Sequence, residues 1–117
     1  MNEQSMRNLN LAFRFILEMV ALVGLFLWGM SKSDSLPVQL TLALGAVVIV
    51  MAIWGLFVAP KASRRLPDPT RLAVEMVIFF VAVLAYVLAG NWILGILLGL
   101  AVLTNVALMF LWDQRAY

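Results

Sequence analysis

Two glutamates, Glu18 and Glu75, lie inside long apolar runs, and each follows an arginine by four positions, Arg14 and Arg71. In a helix that spacing puts each Arg–Glu pair on one face, within reach of an ion pair. A charged side chain near the centre of a bilayer costs on the order of 2.5–3.5 kcal/mol on insertion scales. The arginines stand near the starts of their runs, where a long stem lets a guanidinium snorkel to the interface. The glutamates sit a turn deeper on a shorter stem. Each is therefore expected to face the interior of a bundle, either clasping its own Arg or protonated. Two roles follow from that placement. The pairs can be local anchors that fix topology and helix packing. Alternatively the carboxylates converge as a central acidic pair that binds a proton, a cation or a polar ligand, a coupled arrangement that a proton-driven carrier exploits.

Asn105 and Thr104, in the last apolar run, are candidate contributors to the same site, because an amide in hydrocarbon needs a partner. The candidate ligand-binding set is thus Glu18, Glu75, Arg14, Arg71, Asn105 and Thr104. Catalytic and metal sets stay empty. The chain has no Cys and no His, which excludes thiol nucleophiles and disulfides and removes the commonest general base and metal ligand. No glycine loop suited to phosphate occurs either. An enzyme, a cofactor and a nucleic-acid partner are not expected.

The elements that carry these residues follow from composition. Of 117 residues, 65% are hydrophobic and 12% charged, with mean hydropathy +1.04. Soluble domains are about half apolar and about a quarter charged, so the expected solvent is lipid. Crossing a hydrocarbon core of about 30 Å takes roughly 20 helical residues. Four runs meet this, at about 9–30, 38–59, 72–90 and 92–112, forming a single transmembrane domain over 1–117. The fold class expected is all-α, an integral membrane four-helix bundle. The first run carries Arg14 and Glu18 and ends in Trp28-Gly29-Met30, so it reads as a retained helix and not a cleaved signal peptide. Asp68 is expected to cap the third helix, with Pro69 at its first helical position. Gly90-Asn91 makes a tight hairpin.

With four spans, the termini and the middle loop share one side. That side holds Arg7, Arg14, Lys61, Arg64, Arg65, Arg71 and Arg115; the other holds only Lys32. Such a bias places both termini in the cytoplasm. Trp28, Trp54, Trp92 and Trp112 all fall near helix ends, where an indole buries its ring and keeps its N–H wet. Tyr86 reads the same way, as an outer-interface aromatic.

Arg14–Val20 and Arg71–Val77 share the pattern R-x-x-x-E-M-V at an offset of 57 residues. This echo suggests two repeated helical hairpins related by an axis along the membrane normal, with a site where they meet. Gly95-x-x-x-Gly99, a face of helix 2 with Ala52, Gly55 and Ala59, and a face of helix 3 with Ala82, Ala85 and Ala89 predict close helix packing within the chain or between copies. A homo-oligomer or another membrane protein is thus a candidate partner beside the bilayer itself.

Three features together resemble the YrdB-like family of small bacterial membrane proteins. They are the N-terminal R-x-x-x-E helix, Trp54-Gly55-Leu56-Phe57-Val58-Ala59-Pro60-Lys61-Ala62, and Leu66-Pro67-Asp68-Pro69-Thr70-Arg71-Leu72-Ala73-Val74-Glu75. The resemblance covers nearly the whole chain and implies a four-helix fold in the bacterial inner membrane. It implies no activity. The reading carried forward is a protein that binds or transports a small molecule, proton or cation through a central Glu pair. Its rival is a non-catalytic structural or accessory subunit of a larger membrane assembly.

Overall fold

The computed structural model describes residues 2–59 and 61–114. Pro60 of the inner-end motif and Arg115 of the cytoplasmic charge count lie outside the described residues. Four α-helices and no strand occur among those described: α1 (Glu3–Met30), α2 (Leu36–Phe57), α3 (Thr70–Leu88) and α4 (Trp92–Leu111). Each is long and apolar enough to cross a membrane.

The helices begin and end for local reasons. α1 starts at Glu3, well before the apolar run. The Asn2 side chain accepts from the Ser5 N–H (2.8 Å), and Glu3–Arg7 (2.8 Å) and Gln4–Asn8 (3.0 Å) pair one turn apart, so two polar turns hold without burial. α2 carries Pro37 in its first turn, where the missing N–H costs nothing. The Gln39 amide donates back to the Met30 carbonyl (2.8 Å) and ties the start of α2 to the end of α1. At α3 the expected cap is not made. Pro69 occupies the cap position with no side-chain cap bond, and the Asp68 carboxylate accepts from Arg71 (3.1 Å). A guanidinium three residues on outcompetes a backbone N–H for that carboxylate, because both partners are charged.

The α3–α4 turn needs its glycine. Gly90 has φ +89°; its N–H donates to the Val87 carbonyl (3.1 Å), and the Asn91 N–H to that of Tyr86 (2.8 Å). This is the double bond pattern of a left-handed helix stop. The same pattern ends α4, with Asp113 at φ 52° and the Gln114 N–H on the Met109 carbonyl (2.7 Å). That second stop turns Gln114 back against the bundle, where it is buried.

α1 is the central helix and packs on all three others, whereas α2 packs mainly on α1, touches α3 lightly and does not meet α4. Leu17, Ala21, Phe79, Ala82, Tyr86, Leu98 and Val102 form the apolar core between α1, α3 and α4. α2 contributes only Ala43 as a buried residue. Ile49, Val77, Phe80 and Leu103 are more than half exposed, an outer surface suited to hydrocarbon and not to water.

Small residues set the close approaches. A Cβ on Gly24 would overlap the Tyr86 ring, and one on Gly29 would overlap the Ala43 backbone. A Cβ on Gly95 would stand 3.0 Å from the Val83 carbonyl oxygen, so this member of the G-x-x-x-G pair serves packing of α4 on α3 inside the chain. Tyr86 is interior and not an interface aromatic. It is 3% exposed, and its hydroxyl donates to the Val20 carbonyl (2.6 Å). The gap left by Gly24 admits the ring, which is why the aromatic sits inside. Gly24→Ala is expected to cost about 1–3 kcal/mol through overpacking, read as a lower thermal midpoint in detergent. Gly55→Ala, which meets open space, should leave that midpoint unchanged.

Candidate functional site

The polar residues of α1 recur at Arg7, Asn10, Arg14 and Glu18, one helical turn apart, so they form a single stripe. The stripe faces α3 and α4 at its N-terminal end and α2 at Glu18. Arg14 is the node. Its Nη2 donates to Glu75 Oε1 on α3, and its Nη1 donates to Asn105 Oδ1 on α4 (3.2 Å). Its guanidinium carbon lies 4.9 Å from the centroid of the Phe79 ring, a cation–π contact. The Arg14 and Glu75 side chains are 3% and 1% exposed.

From Asn105 a chain of amides runs to the end of the bundle. Asn105 Nδ2 donates to the Asn10 carbonyl (3.1 Å) and to Asn10 Oδ1 (3.0 Å). Asn10 Nδ2 donates to Gln114 Oε1 (2.8 Å). Gln114 Nε2 donates to the Arg7 carbonyl (2.9 Å), and Arg7 Nη1 to the Trp112 carbonyl (2.8 Å). Each amide in this chain both donates and accepts, which satisfies groups that would otherwise be costly to bury.

Glu18 is placed differently. Its Oε1 lies 3.5 Å from Arg14 Nε, and that buried Nε has no hydrogen-bond partner. Glu18 and Glu75 are near enough to act on each other electrostatically, and the Trp54 side chain of α2 interacts with Glu18. Arg14, Glu18 and Glu75 all line one cavity of about 60 Å³, walled by Met19, Leu22, Val50, Met51, Ile78 and Trp54. A site of that size holds a few waters or a compact ammonium group. Glu18 keeps 13% of its side chain exposed, so it is the carboxylate that presents itself to an incoming group.

Four of the six sequence candidates therefore meet: Arg14, Glu18, Glu75 and Asn105. Arg71 and Thr104 do not join them. Arg71 pairs with Asp68 and donates to the Leu66 carbonyl (3.4 Å), anchoring the start of α3. Thr104 is exposed and its hydroxyl donates to the Leu100 carbonyl (2.9 Å), a back-bond that satisfies it on its own helix. Glu18 keeps its pairing with its own Arg14 at 3.5 Å, and Glu75 reaches across the bundle to the same Arg14. Sequence reasoning missed Asn10, Phe79, Trp54 and Gln114. Asn10 was recoverable, lying one turn before Arg14 on the same face; Gln114 was not, because a left-handed turn brings it in. No group of three or more His, Cys, Asp or Glu side chains suited to a metal occurs among the described residues.

Residues 12–103 match the family described as Protein of unknown function (DUF2568), and the chain belongs to that family. No curated protein and no solved structure matches it. The family description names no activity, so function rests on the geometry.

Removing one partner of a buried ion pair strands the other. Arg14→Leu and Glu75→Leu are each expected to cost about 3–5 kcal/mol, and the double variant to recover most of that loss. Glu18→Gln, at the edge of the network, should cost less than either, since the amide keeps an acceptor oxygen toward Arg14. Unfolding of the purified proteins in detergent checks all four; a Glu75→Leu variant as stable as wild type would show that the pair does not hold the bundle.

Proposed function

We propose that this chain is an integral membrane protein that binds a positively charged species, a proton or a small cation-bearing molecule, at Glu18, with Arg14 and Glu75 as the fixed floor of the site. The observation that carries the reading is the division of one guanidinium between two carboxylates. Arg14 is held by Glu75 and Asn105, which leaves Glu18 the more distant share at 3.5 Å. Glu18 therefore keeps attraction for a further positive charge, and it meets a cavity where one can sit. Ionisable groups inside membrane spans are costly, and they mark ligand or ion pathways in many membrane proteins. Binding of this sort is compatible with transport; with no Cys and no His in the sequence, we read the protein as a non-enzyme.

The location follows from the same reading. The Lys and Arg bias supports a multi-pass protein of the bacterial inner membrane with both termini cytoplasmic. The R-x-x-x-E-M-V echo supports two repeated hairpins whose partners have since diverged. The motifs at 54–62 and 66–75 support kinship with the YrdB-like proteins.

A second reading has its own observation. α2 buries only Ala43, and among the described residues nothing lies within 4 Å of a Cβ placed on Gly45 or Gly55. A helix so exposed suits contact with another membrane protein or a second copy, as an accessory subunit would make.

Thermal unfolding of the detergent-purified protein separates these readings. Tetramethylammonium at about 100 times its dissociation constant should stabilise wild type by about 2.7 kcal/mol. Glu18→Gln should abolish that gain, and Thr104→Ala should keep it. Indifference of wild type to tetramethylammonium, alkali cations and pH alike would favour the accessory role.

A further inference from the structure

Val50 of α2 borders two hollows at once. One is the cavity at Glu18. The other, about 320 Å³, continues between α2 and α3 over a floor of α1 and is walled by Leu25, Trp28, Ile49, Val81, Leu84 and Leu88. Adjoining at Val50, the two are read together as one groove on the side where α2 barely packs on α3. From Glu18 to Trp28 it follows ten residues of α1, about 15 Å at the helical rise. That is about half of a hydrocarbon core of about 30 Å.

We infer that this groove takes a single-chain lipophilic cation, its ammonium group against Glu18 and its alkyl tail along α1 towards Trp28. The inference rests on the reading of Glu18 as the cation ligand and adds the class of molecule. The two ends of the groove differ in chemistry as such a ligand does. The inner end offers the Glu18 carboxylate beside the Trp54 indole; the remainder is apolar side chain. Glu18 stands near the middle of α1, far from either end of a 28-residue helix. A two-chain phospholipid keeps its head at the interface and brings no charge to that depth. A fatty acid would bring a carboxylate to a carboxylate. An amine on one alkyl chain brings the opposite charge, with a tail that matches the length of the groove.

The fold supplies its own control. A hollow between α3 and α4, lined by Met76, Phe80, Val83, Leu100 and Leu103, has about the same volume, 340 Å³, and carries no ionisable side chain. A dodecylammonium bearing a diazirine at its tail end, photolysed with the full chain in phosphatidylcholine nanodiscs, should label Leu25, Ile49 and Leu84 in preference to Phe80 and Leu103, as read by mass spectrometry of the adducts. Glu18→Gln should reduce the groove adducts about tenfold or more, the scale of losing a charge partner in a desolvated site. A dodecanol carrying the same diazirine should label both hollows alike. Equal labelling of the two hollows by the ammonium probe, with tetramethylammonium stabilisation still dependent on Glu18, overturns the tail assignment and leaves cation binding standing. Equal labelling with no stabilisation by any cation overturns both.

Discussion

The ion pair between Arg14 and Glu75 is the constraint around which the bundle is arranged. A guanidinium offers five donors in a fixed plane, and burying it demands acceptors on several sides at once. One side is met by Glu75 of α3, another by Asn105 of α4, and the face by the Phe79 ring. Those partners come from two helices remote in sequence, so the rotation of α1 against both is set by one side chain. Apolar ridges alone would permit several rotations in lipid, where no water-driven force selects among them.

Satisfying Arg14 on the α3–α4 side leaves the opposite side comparatively open. There the Nε faces Glu18, and beyond it lie the cavity and the loosely packed α2. The division between a tightly bonded half and a half-open one is thus a single effect seen from two directions. The amide chain through Asn10 and Gln114 extends the bonded half to the end of the bundle. It holds α1 to α4 and to the turn after it, and its last member arrives by the left-handed stop at Asp113.

The two R-x-x-x-E units show how far one shared local pattern can part in use. Arg14 has a long-range acid and a long-range amide within reach, and both lie buried. Arg71 stands at the start of its helix beside Asp68 and takes that nearer partner. Glu75 reaches across the bundle and completes Arg14. The difference is one of depth and neighbours, since the spacing within the two units is the same.

Much of this protein was legible without coordinates. Four helices long and apolar enough to cross a membrane follow from run length, because hydrogen-bond satisfaction in hydrocarbon leaves a chain few alternatives. Glu18, Glu75, Arg14 and Asn105 were legible as residues in need of partners because polar groups in such runs are costly and therefore informative. The early start of α1 was hidden, as capping and turn-spaced pairs hold it, not hydropathy. Partner choice was hidden too. Which Arg meets Glu75, whether Tyr86 points in or out, and that Thr104 turns away all depend on how helices rotate against one another. By itself the sequence determined the number of helices and the residues too costly to leave in lipid. Only the tertiary structure decided that one guanidinium serves two carboxylates beside a cavity, because that sharing is a property of three helices in contact and of none of them alone.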